Sequence, residues 1–449
     1  MVRVRYIFVL FFLLLFIGVM PFSAYPSKVV QIGAYDTLSV ALLDNGTVWA
    51  WGDKTGPMSS SVPVMLNVSN VTAMSIGNFL LFLKSDGTVW ACGHNEAGEL
   101  GDCSQMNSYD RIVRVGNLSD VNMIAASGGN GMALKSDGTL WMWGYNRNGE
   151  LGTGTPGFLG GANYSLLPVQ VPITDITSIA SADANFFVLK SDGTLWGWGR
   201  DYDGSLGVNM NDSRVIVWTD VNNNTQAFVI NPIQIPLSNI TTISSNSQNT
   251  LAIINGTLWA WGENYCGQLG IGNHTTVDRP VMVKGLTDVT SVIASTSYSL
   301  ALKSDGTVWA WGFSMGGLGV PASGDLATTN TPVMVAGLNN VAQLAGGWTH
   351  ILALKSDGTV WAWGDNNYYE LGNGGVGSGS STPIQVLIGS QTASSPTIPA
   401  TITATPNASP PNMPVNGQNN SLNTFSIIGL ISLILLAGAF AYVFLLRKK

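Results

Sequence analysis

The chain has few residues of the kinds that carry out catalysis. Its three histidines, His94, His274 and His350, are far apart, and neither a Ser-His-Asp grouping nor an HExxH motif occurs. Five aspartates recur in one local context that would suit a ring of carboxylates: Asp86, Asp137, Asp192, Asp305 and Asp357. Each of them precedes a glycine, and Asp-Gly is typical of turns. We therefore predict turn residues, no catalytic residues and no cofactor.

The sequence contains no strong metal-binding motif. The stretch "DVNNNT" (residues 220–225) alternates oxygen-bearing side chains, but it lacks the glycine and the glutamate of a calcium loop. Cys92, Cys103 and Cys266 are at no metal-ligand spacing. A Cys92–Cys103 disulfide and three unpaired, small apolar side chains are both open interpretations. We predict no metal site.

Two long insertions hold the aromatic residues that best suit partner binding. They are Thr153–Leu166 and Val208–Val229, and both follow a Leu-Gly pair in neighbouring units of a repeat. Aromatic anchors are typical of protein interfaces. The candidate partner-binding residues are Phe158, Tyr164, Trp218 and Phe228. The alternative is that these are solvent-exposed loops without a binding role.

Asn-x-Ser/Thr sites accompany these loops. If the host glycosylates the protein, the candidate acceptors are Asn163, Asn211, Asn223 and Asn273. Glycans on the first three would cover the surface that the aromatic residues need for binding.

A ten-residue repeat positions all of these residues. "KSDGTVWAWG" occurs at Lys303–Gly312 and at Lys355–Gly364, and five near-copies bring the number of units to seven. Each unit contains four short apolar runs separated by turn residues, which predicts four strands per unit. The first tryptophan of the motif lies at Trp49, Trp90, Trp141, Trp196, Trp259, Trp309 and Trp361. A tryptophan at one place in every unit indicates core packing.

Turn chemistry predicts the strand register. Three-residue "SDG" turns suit a left-handed glycine, and the shorter Asn-Gly copy suits a type I′ turn. Both predict the same pairing, with Ala301 opposite Trp309 and Ala252 opposite Trp259. Neither face of such a sheet is polar, so each tryptophan face must pack on the Leu/Val/Ala face of a neighbour. Seven units then predict an all-β fold, a seven-bladed β-propeller of four-stranded blades. Closure by packing alone and closure by an exchanged strand are both open.

The repeat resembles the regulator of chromosome condensation family, also called the alpha-tubulin suppressor-like repeats. The matching segments are "AGGWTHILALKSDGTVWAWG" (Ala345–Gly364), "WGENYCGQLG" (Trp261–Gly270) and "DRPVMV" (Asp278–Val283), and the repeats extend from Val29 to about Ile388. The resemblance implies a seven-bladed β-propeller. It implies a function less sharply, because the family includes exchange factors for small GTPases, chromatin-binding proteins, ligase subunits and secreted inhibitors of β-lactamase.

The sequence departs from the family pattern in two places. Only the last unit has the family's histidine, His350, and we predict a hydrogen-bonding residue at a strand start there. The first unit lacks the Leu-Gly pair after its tryptophans.

Both ends of the chain predict a membrane-directed protein. Residues 1–24 have a basic start and an apolar run, as in a signal peptide, although an uncleaved anchor is the alternative. Residues 389–424 are rich in Pro, Ser, Thr and Asn and predict a stalk. The uncharged residues 425–446 predict one C-terminal transmembrane helix, with a cytoplasmic basic tail at 447–449. Residues 28–388 are then the propeller ectodomain.

Charge narrows the class of partner. Residues 28–424 contain 14 of the 19 Lys and Arg and all 26 Asp and Glu, a net charge near −12, which disfavours nucleic acid. We predict a non-catalytic, single-pass cell-membrane protein whose outward propeller binds an unknown extracellular protein or glycan. One alternative is a hydrolase or lyase in the channel, although innermost strands such as "QIGAY" and "LAGGW" are small and apolar. The other is a regulator of a specific protein partner, similar to an exchange factor or an inhibitor.

Overall fold

The chain forms a closed ring of seven antiparallel sheets. The computed structural model describes residues 27–53, 59–208, 211–219, 225–246, 248–313, 317–320, 328–375 and 377–389. Each sheet is built from consecutive strands, and the first strand of every sheet contacts the first strands of its two neighbours. The first sheet also packs on the seventh. The predicted seven-bladed β-propeller is confirmed, with the first strands lining a central channel.

Six blades have the predicted four strands, paired in chain order. The strands of blades 1 to 3 are β1 (Val29–Tyr35), β2 (Leu38–Leu43), β3 (Val48–Gly52), β4 (Ser60–Met65), β5 (Val71–Ile76), β6 (Phe79–Lys84), β7 (Val89–Gly93), β8 (Ser108–Arg114), β9 (Val121–Ala126), β10 (Asn130–Lys135), β11 (Leu140–Tyr145) and β12 (Tyr164–Gln170). The strands of blades 5 to 7 are β18 (Ile240–Ser245), β19 (Asn249–Ile254), β20 (Thr257–Gly262), β21 (Val277–Met282), β22 (Val289–Ala294), β23 (Tyr298–Lys303), β24 (Val308–Phe313), β25 (Thr328–Met334), β26 (Val341–Gly346), β27 (His350–Lys355), β28 (Val360–Gly364) and β29 (Ser380–Val386). A short 3-10 helix, Gly157–Leu159, lies in the blade 3 insertion.

Blade 4 has five strands, so the prediction of four is wrong there. Its strands are β13 (Ile176–Ser181), β14 (Asn185–Lys190), β15 (Thr194–Asp201), β16 (Ile216–Thr219) and β17 (Thr225–Ser238). The pairing order is β13-β14-β15-β17-β16, which places β16 at the outer edge. The insertion contains a run of β-branched and aromatic residues, and these side chains favour pairing along an open sheet edge.

The predicted register is confirmed in both kinds of hairpin. Ala301 lies opposite Trp309 and Ala252 opposite Trp259. Gly306 closes its three-residue turn at a φ of 77°, in the left-handed region that glycine tolerates. In the two-residue turn, Asn255 and Gly256 both have positive φ, at 50° and 75°, as a type I′ turn requires.

In six of the seven blades the second tryptophan of the motif is buried and joins the blade to the preceding one. Trp311 of blade 6 is fully buried against Leu251, Leu258 and Ala260 of blade 5. Its Nε1–H donates to the Gln268 backbone oxygen of blade 5 at 2.8 Å. The same bond occurs from Trp51 to Glu370, Trp143 to Glu99, Trp198 to Glu150 and Trp261 to Ser205. By contrast, the first tryptophan of the motif is half-buried, as at Trp309, whose indole N–H donates to Thr307.

The junction between blades 1 and 2 differs from the others. Blade 2 has Cys92 at the place of the second tryptophan, and blade 1 lacks the Leu-Gly segment whose backbone would accept the bond. Cys92 is buried in the apolar cluster between these blades, together with Val40 and Phe82. All three cysteines are free thiols, so the Cys92–Cys103 disulfide is not formed.

Side chains close the ring without an exchanged strand. The Gln343 amide of blade 7 accepts a hydrogen bond from the Ile32 backbone N–H of blade 1 at 3.0 Å and donates to the Ile32 oxygen at 3.4 Å. His350 Nε2 lies 2.8 Å from Ser39 Oγ across the same junction. His350 is therefore the predicted hydrogen-bonding residue at the start of a strand, β27.

The alternating strand directions give the propeller two different faces. We call the loop face the one that carries the loops after the first and third strands of each blade. We call the turn face the opposite one, which carries the tight turns between second and third strands and the connections between blades.

The predicted terminal segments lie outside the described residues. These are the signal peptide (1–24), all of the stalk beyond residue 389, the transmembrane helix (425–446) and the basic tail (447–449). Within the part of the chain that is described, no helix has both the length and the apolar character needed to cross a bilayer.

Candidate functional site

The innermost strands end at a polar cavity on the loop face. At this end of the channel lies a cavity of about 320 Å3. We call this cavity the channel mouth. All seven blades contribute to its lining, for example through Tyr35, Asn78, Ser127, Asp183, Asn246, Thr296 and Trp348.

A tyrosine and an aspartate meet across the channel mouth. Tyr35 ends β1, Asp183 follows β13, and the Tyr35 hydroxyl donates to Asp183 Oδ1 at 2.7 Å. Burial, followed by the charge of Asp183, raises the pKa of Tyr35. Burial also raises the pKa of Asp183, although hydrogen bonds from Tyr35 and the Gly128 backbone oppose this effect.

A second carboxylate and an exposed indole lie beside this pair. Asp36 has a positive φ of 49°, and its backbone oxygen accepts a hydrogen bond from the Trp348 N–H at 2.8 Å. Burial, and then the charges of Asp53 and Asp183, raise the pKa of Asp36. Trp348 is 58% exposed. The lining of the channel mouth includes no lysine, arginine or histidine, so its two carboxylates have no basic neighbour in the cavity.

Sequence reasoning missed the channel mouth although two signals pointed to it. Trp348 and Trp218 are the tryptophans that lie outside the repeated motif, and only Trp218 was singled out as a candidate. Asp183 stands in "SADAN", where the corresponding segments of other blades read "SGGN" or "AGGW". The equivalent residue of blade 3 is Gly128, so the acidic residue in blade 4 is a signal that the sequence offers.

The structure brings two of the four predicted partner-binding residues together. The rings of Phe158 and Phe228 lie 5.3 Å apart, which joins the insertions of blades 3 and 4 on the loop face. Phe228 is 3% exposed, so it supports Phe158 from beneath and cannot itself contact a partner. Tyr164 and Trp218 are exposed, and among the described aromatic rings neither stacks on this pair. Partner binding by these residues stays a prediction.

Three predicted glycosylation sites lie on exposed positions. Asn163, Asn211 and Asn273 are exposed, whereas Asn223 lies outside the described residues. The Asn273 side-chain oxygen accepts a hydrogen bond from the Thr275 N–H at 2.9 Å.

The recurrent aspartates are turn residues, as predicted. Asp137 Oδ1 accepts hydrogen bonds from the Thr139 N–H at 3.0 Å and from its hydroxyl at 2.6 Å. The hydrogen bond from the Thr139 hydroxyl has the larger effect and the bond from the Thr139 N–H the next, and both lower the pKa of Asp137. The other four make the same pair of contacts: Asp86, Asp192, Asp305 and Asp357. Among the side chains that the structure describes, no three His, Cys, Asp or Glu residues are grouped closely enough to hold a metal ion.

The described lysines are confined to one of the two faces. The lysines of the described propeller all lie on the turn face, at Lys28, Lys84, Lys135, Lys190, Lys284, Lys303 and Lys355. The loop face instead carries exposed acids, such as Glu96, Asp203 and Asp278, together with the exposed Arg147 and Arg279. It also carries exposed aromatic residues: Tyr145, Tyr265, Trp348 and Tyr368. The turn face has the recurrent turn aspartates beside its lysines, so the loop face is distinguished by acids and aromatic residues without lysine.

Known proteins similar to this chain include several repeat proteins. The ultraviolet-B receptor UVR8 of Arabidopsis thaliana is 25% identical over 78% of this chain and 68% of its own length. Protein pim1 of Schizosaccharomyces pombe is 26% identical over 65% of this chain and 58% of its own length. The mitochondrial RCC1 domain-containing protein RUG3 of Arabidopsis thaliana is 28% identical over 70% of this chain and 69% of its own length.

A solved structure shares the fold. Prp20p of Saccharomyces cerevisiae, which binds Gsp1p and histones, superimposes with a TM-score of 0.65 over 80% of this chain and 87% of the other, at 20% identity. At that identity the likeness shows the fold alone.

The predicted localisation at the cell membrane is contradicted by these findings. The described residues contain no helix able to cross a bilayer, and the relative RUG3 is mitochondrial. The apolar residues 425–446 that suggested an anchor lie outside the described residues.

Family models match the repeats directly. The regulator of chromosome condensation (RCC1) repeat matches residues 137–189, 255–302, 305–354 and 357–397, and a second model of the same repeat matches residues 341–370. These matches agree with the seven-bladed architecture, the tryptophan-joined blades and the relatives described above. The chain contains regulator of chromosome condensation (RCC1) repeats and has the fold of an RCC1-like, seven-bladed β-propeller.

Proposed function

We propose that the protein is a non-catalytic regulator that binds a protein partner through the loop face. The observation that carries this proposal is the composition of the loop face: it carries exposed acids and exposed aromatic residues together, and the described lysines all lie on the other face. Acidic surfaces attract basic partner surfaces over a Debye length, and exposed aromatic residues supply the contact energy. The same acidity disfavours the phosphate backbone of nucleic acids.

The RCC1-like fold supports this proposal over a channel enzyme. Prp20p, which has the same fold, binds Gsp1p and histones, so the scaffold is suited to binding other proteins. The aromatic pair at the blade 3 and blade 4 insertions lies on the loop face and would extend the contact area. A glycan partner would require neither the acids of the loop face nor the confinement of the lysines to the other face.

The test compares two double variants. Each neutralises two acidic residues, in one case on the loop face and in the other on the turn face. The partner is first identified by cross-linking and mass spectrometry with the full chain. Its affinity is then measured for Glu96→Gln with Asp203→Asn on the loop face, and for Asp137→Asn with Asp305→Asn on the turn face. Each pair removes two negative charges. Asp203 has a positive φ of 50°, which asparagine tolerates.

We expect the loop-face pair to weaken binding roughly fivefold, because two exposed ion pairs contribute about 1 kcal/mol together. The turn-face pair should bind as the wild type does. Raising the salt from about 50 mM to about 300 mM should weaken the wild type more than the loop-face pair. Equal effects of the two pairs would show that net charge, and not the loop face, governs binding.

A further inference from the structure

We infer that the channel mouth binds a single arginine side chain of the partner. This inference rests on the proposed function for the source of the side chain, and it rests on the geometry of the cavity for the chemistry. The cavity opens at the centre of the loop face, where the first strands of all seven blades end.

The charge of the cavity calls for a cation. Asp36 and Asp183 are both exposed to the cavity, and its lining offers them no lysine, arginine or histidine. Two carboxylates that line one cavity repel each other, and a bound cation offsets that repulsion. The Tyr35 hydroxyl holds Asp183 in place from the opposite side of the channel, so the carboxylate is already oriented before a ligand arrives.

The aromatic lining selects the kind of cation. Trp348 is 58% exposed and lines the cavity together with Asp36. Its backbone N–H is bonded to the Asp36 backbone oxygen, which keeps the two residues side by side. A guanidinium group stacks on an aromatic face and donates to carboxylates through its fork of N–H groups. Arginine satisfies both features with one side chain.

The size of the cavity favours a side chain over a larger ligand. About 320 Å3 is at the small end of the range for ligand pockets. A guanidinium group with its stem enters such a space from above, while the partner's backbone stays on the loop face. This places the arginine at the centre of the proposed interface, where anchor residues are usually found.

Fluorine NMR of the full chain labelled with 5-fluorotryptophan tests the inference without the partner. The Trp348 signal is assigned by its loss in Trp348→Phe. The probe is N-acetyl-arginine methylamide, and N-acetyl-citrulline methylamide is the neutral control of almost the same shape. We expect the arginine probe to shift the Trp348 signal in a saturable manner and the citrulline probe to leave it unchanged. The exposed Trp218 signal should not move with either probe.

Substitutions then identify the carboxylates that bind the arginine probe. Asp183→Asn keeps an acceptor for Tyr35, and Asp36→Asn keeps a residue that tolerates a positive φ, so each variant retains the fold. Each should weaken the arginine probe about tenfold, whereas Asp137→Asn on the turn face should not. Equal binding of the citrulline probe, or full affinity in both Asp36→Asn and Asp183→Asn, would overturn the inference. N-acetyl-lysine methylamide binding as tightly as the arginine probe would overturn the choice of arginine.

The outcomes separate this inference from the proposed function. If the partner shows the expected difference between loop-face and turn-face variants but Trp348 does not respond to the arginine probe, only the pocket is refuted. If Trp348 responds but the two pairs of charge variants bind the partner equally, the pocket stands and the loop-face proposal fails.

Discussion

Single residues at equivalent places in the repeat bond to different partners. At the place of the family's histidine, His350 bonds to Ser39 across the closing junction, and Tyr298 donates to the Gly347 backbone oxygen of blade 7. Asn130 instead donates to the Trp143 and Tyr145 backbone oxygens within its own blade. The position is one for buried hydrogen bonding, and its occupant depends on which acceptor lies within reach.

Replacing His350 should change how stability depends on pH. Burial lowers the pKa of His350 from 6.5 to about 3, so the folded protein keeps this ring neutral where the unfolded chain is protonated. Its contribution is complete above about pH 6.5 and is lost as the pH falls towards 3, by up to about 1.4 kcal/mol per pH unit. Urea unfolding between about pH 7 and pH 4.5 should therefore show a shallower loss of stability in His350→Asn than in the wild type.

The exposed His274 provides the control for this measurement. His274→Asn should retain the wild-type dependence on pH. A His350→Asn variant with the wild-type slope would show that another group is responsible.

The tryptophan bonds between blades should differ in importance according to their neighbours. The Gln268 oxygen accepts from Trp311 and also from the Ser299 hydroxyl at 2.7 Å. The Glu99 oxygen accepts from Trp143, and blade 3 has Gly131 where blade 6 has Ser299. Trp143→Phe therefore leaves the buried Glu99 carbonyl without its side-chain donor. In Trp311→Phe the Gln268 carbonyl still accepts a hydrogen bond from Ser299. We expect Trp143→Phe to lower the free energy of unfolding by about 1 kcal/mol more than Trp311→Phe, measured by urea unfolding. A loss that is equal or reversed would contradict this account.

At the scale of elements, the two insertions form one connected structure and not separate loops. The outer hairpin of β16 and β17 belongs to blade 4, and Phe228 on β17 contacts Phe158 in the blade 3 insertion. The sequence predicted correctly that both insertions emerge on the same side. It did not show that one of the four aromatic residues is buried, because strand pairing within an insertion has no repeat to define its register.

Alanine substitution should separate the supporting residue from the exposed ones. Phe228→Ala should lower the free energy of unfolding by about 3–5 kcal/mol, since it removes a buried ring. Trp218→Ala should cost less than about 1 kcal/mol, because half of its side chain is in solvent. Thermal and urea unfolding of both variants check this expectation. Partner-binding assays should then use Trp218→Ala and Tyr164→Ala, whose folds are intact. Similar stabilities of Phe228→Ala and wild type would show that the ring is not part of the core.

At the scale of the whole molecule, closure of the ring depends on side chains. The first and seventh blades contain no exchanged strand, so Gln343, His350 and the Trp51 bond to Glu370 connect them. The open alternative of an exchanged closing strand is therefore excluded. Packing between the blades supplies the remaining contacts, as it does at the other junctions.

Removing the Gln343 amide should weaken this closure. Gln343→Leu retains a side chain of similar size but leaves the Ile32 N–H and oxygen without this partner, which should lower the free energy of unfolding by about 1–3 kcal/mol. Gln385→Leu, on the exposed surface of the outer strand β29, should change it by less than about 0.5 kcal/mol. Urea unfolding of both variants tests the difference. Equal stabilities would mean that the Gln343 amide does not contribute to closure of the ring.

The sequence by itself determined the number of blades, the strand register and the turn residues. These features depend on alternation and turn chemistry within about ten residues, and the repeat states them seven times. The fifth strand of blade 4 was not predictable in this way, because it lies in an insertion that occurs once.

The tertiary structure alone decided which residues form the channel mouth. Tyr35 and Asp183 are 148 residues apart in the chain and meet only because blades 1 and 4 face the same channel. Neither periodicity nor motif spacing links these two residues. The confinement of the described lysines to the turn face also became visible only when the turns and the loops were assigned to opposite ends of the strands. Local patterns specify strands and turns, whereas a site shared by seven blades exists only once the ring is closed.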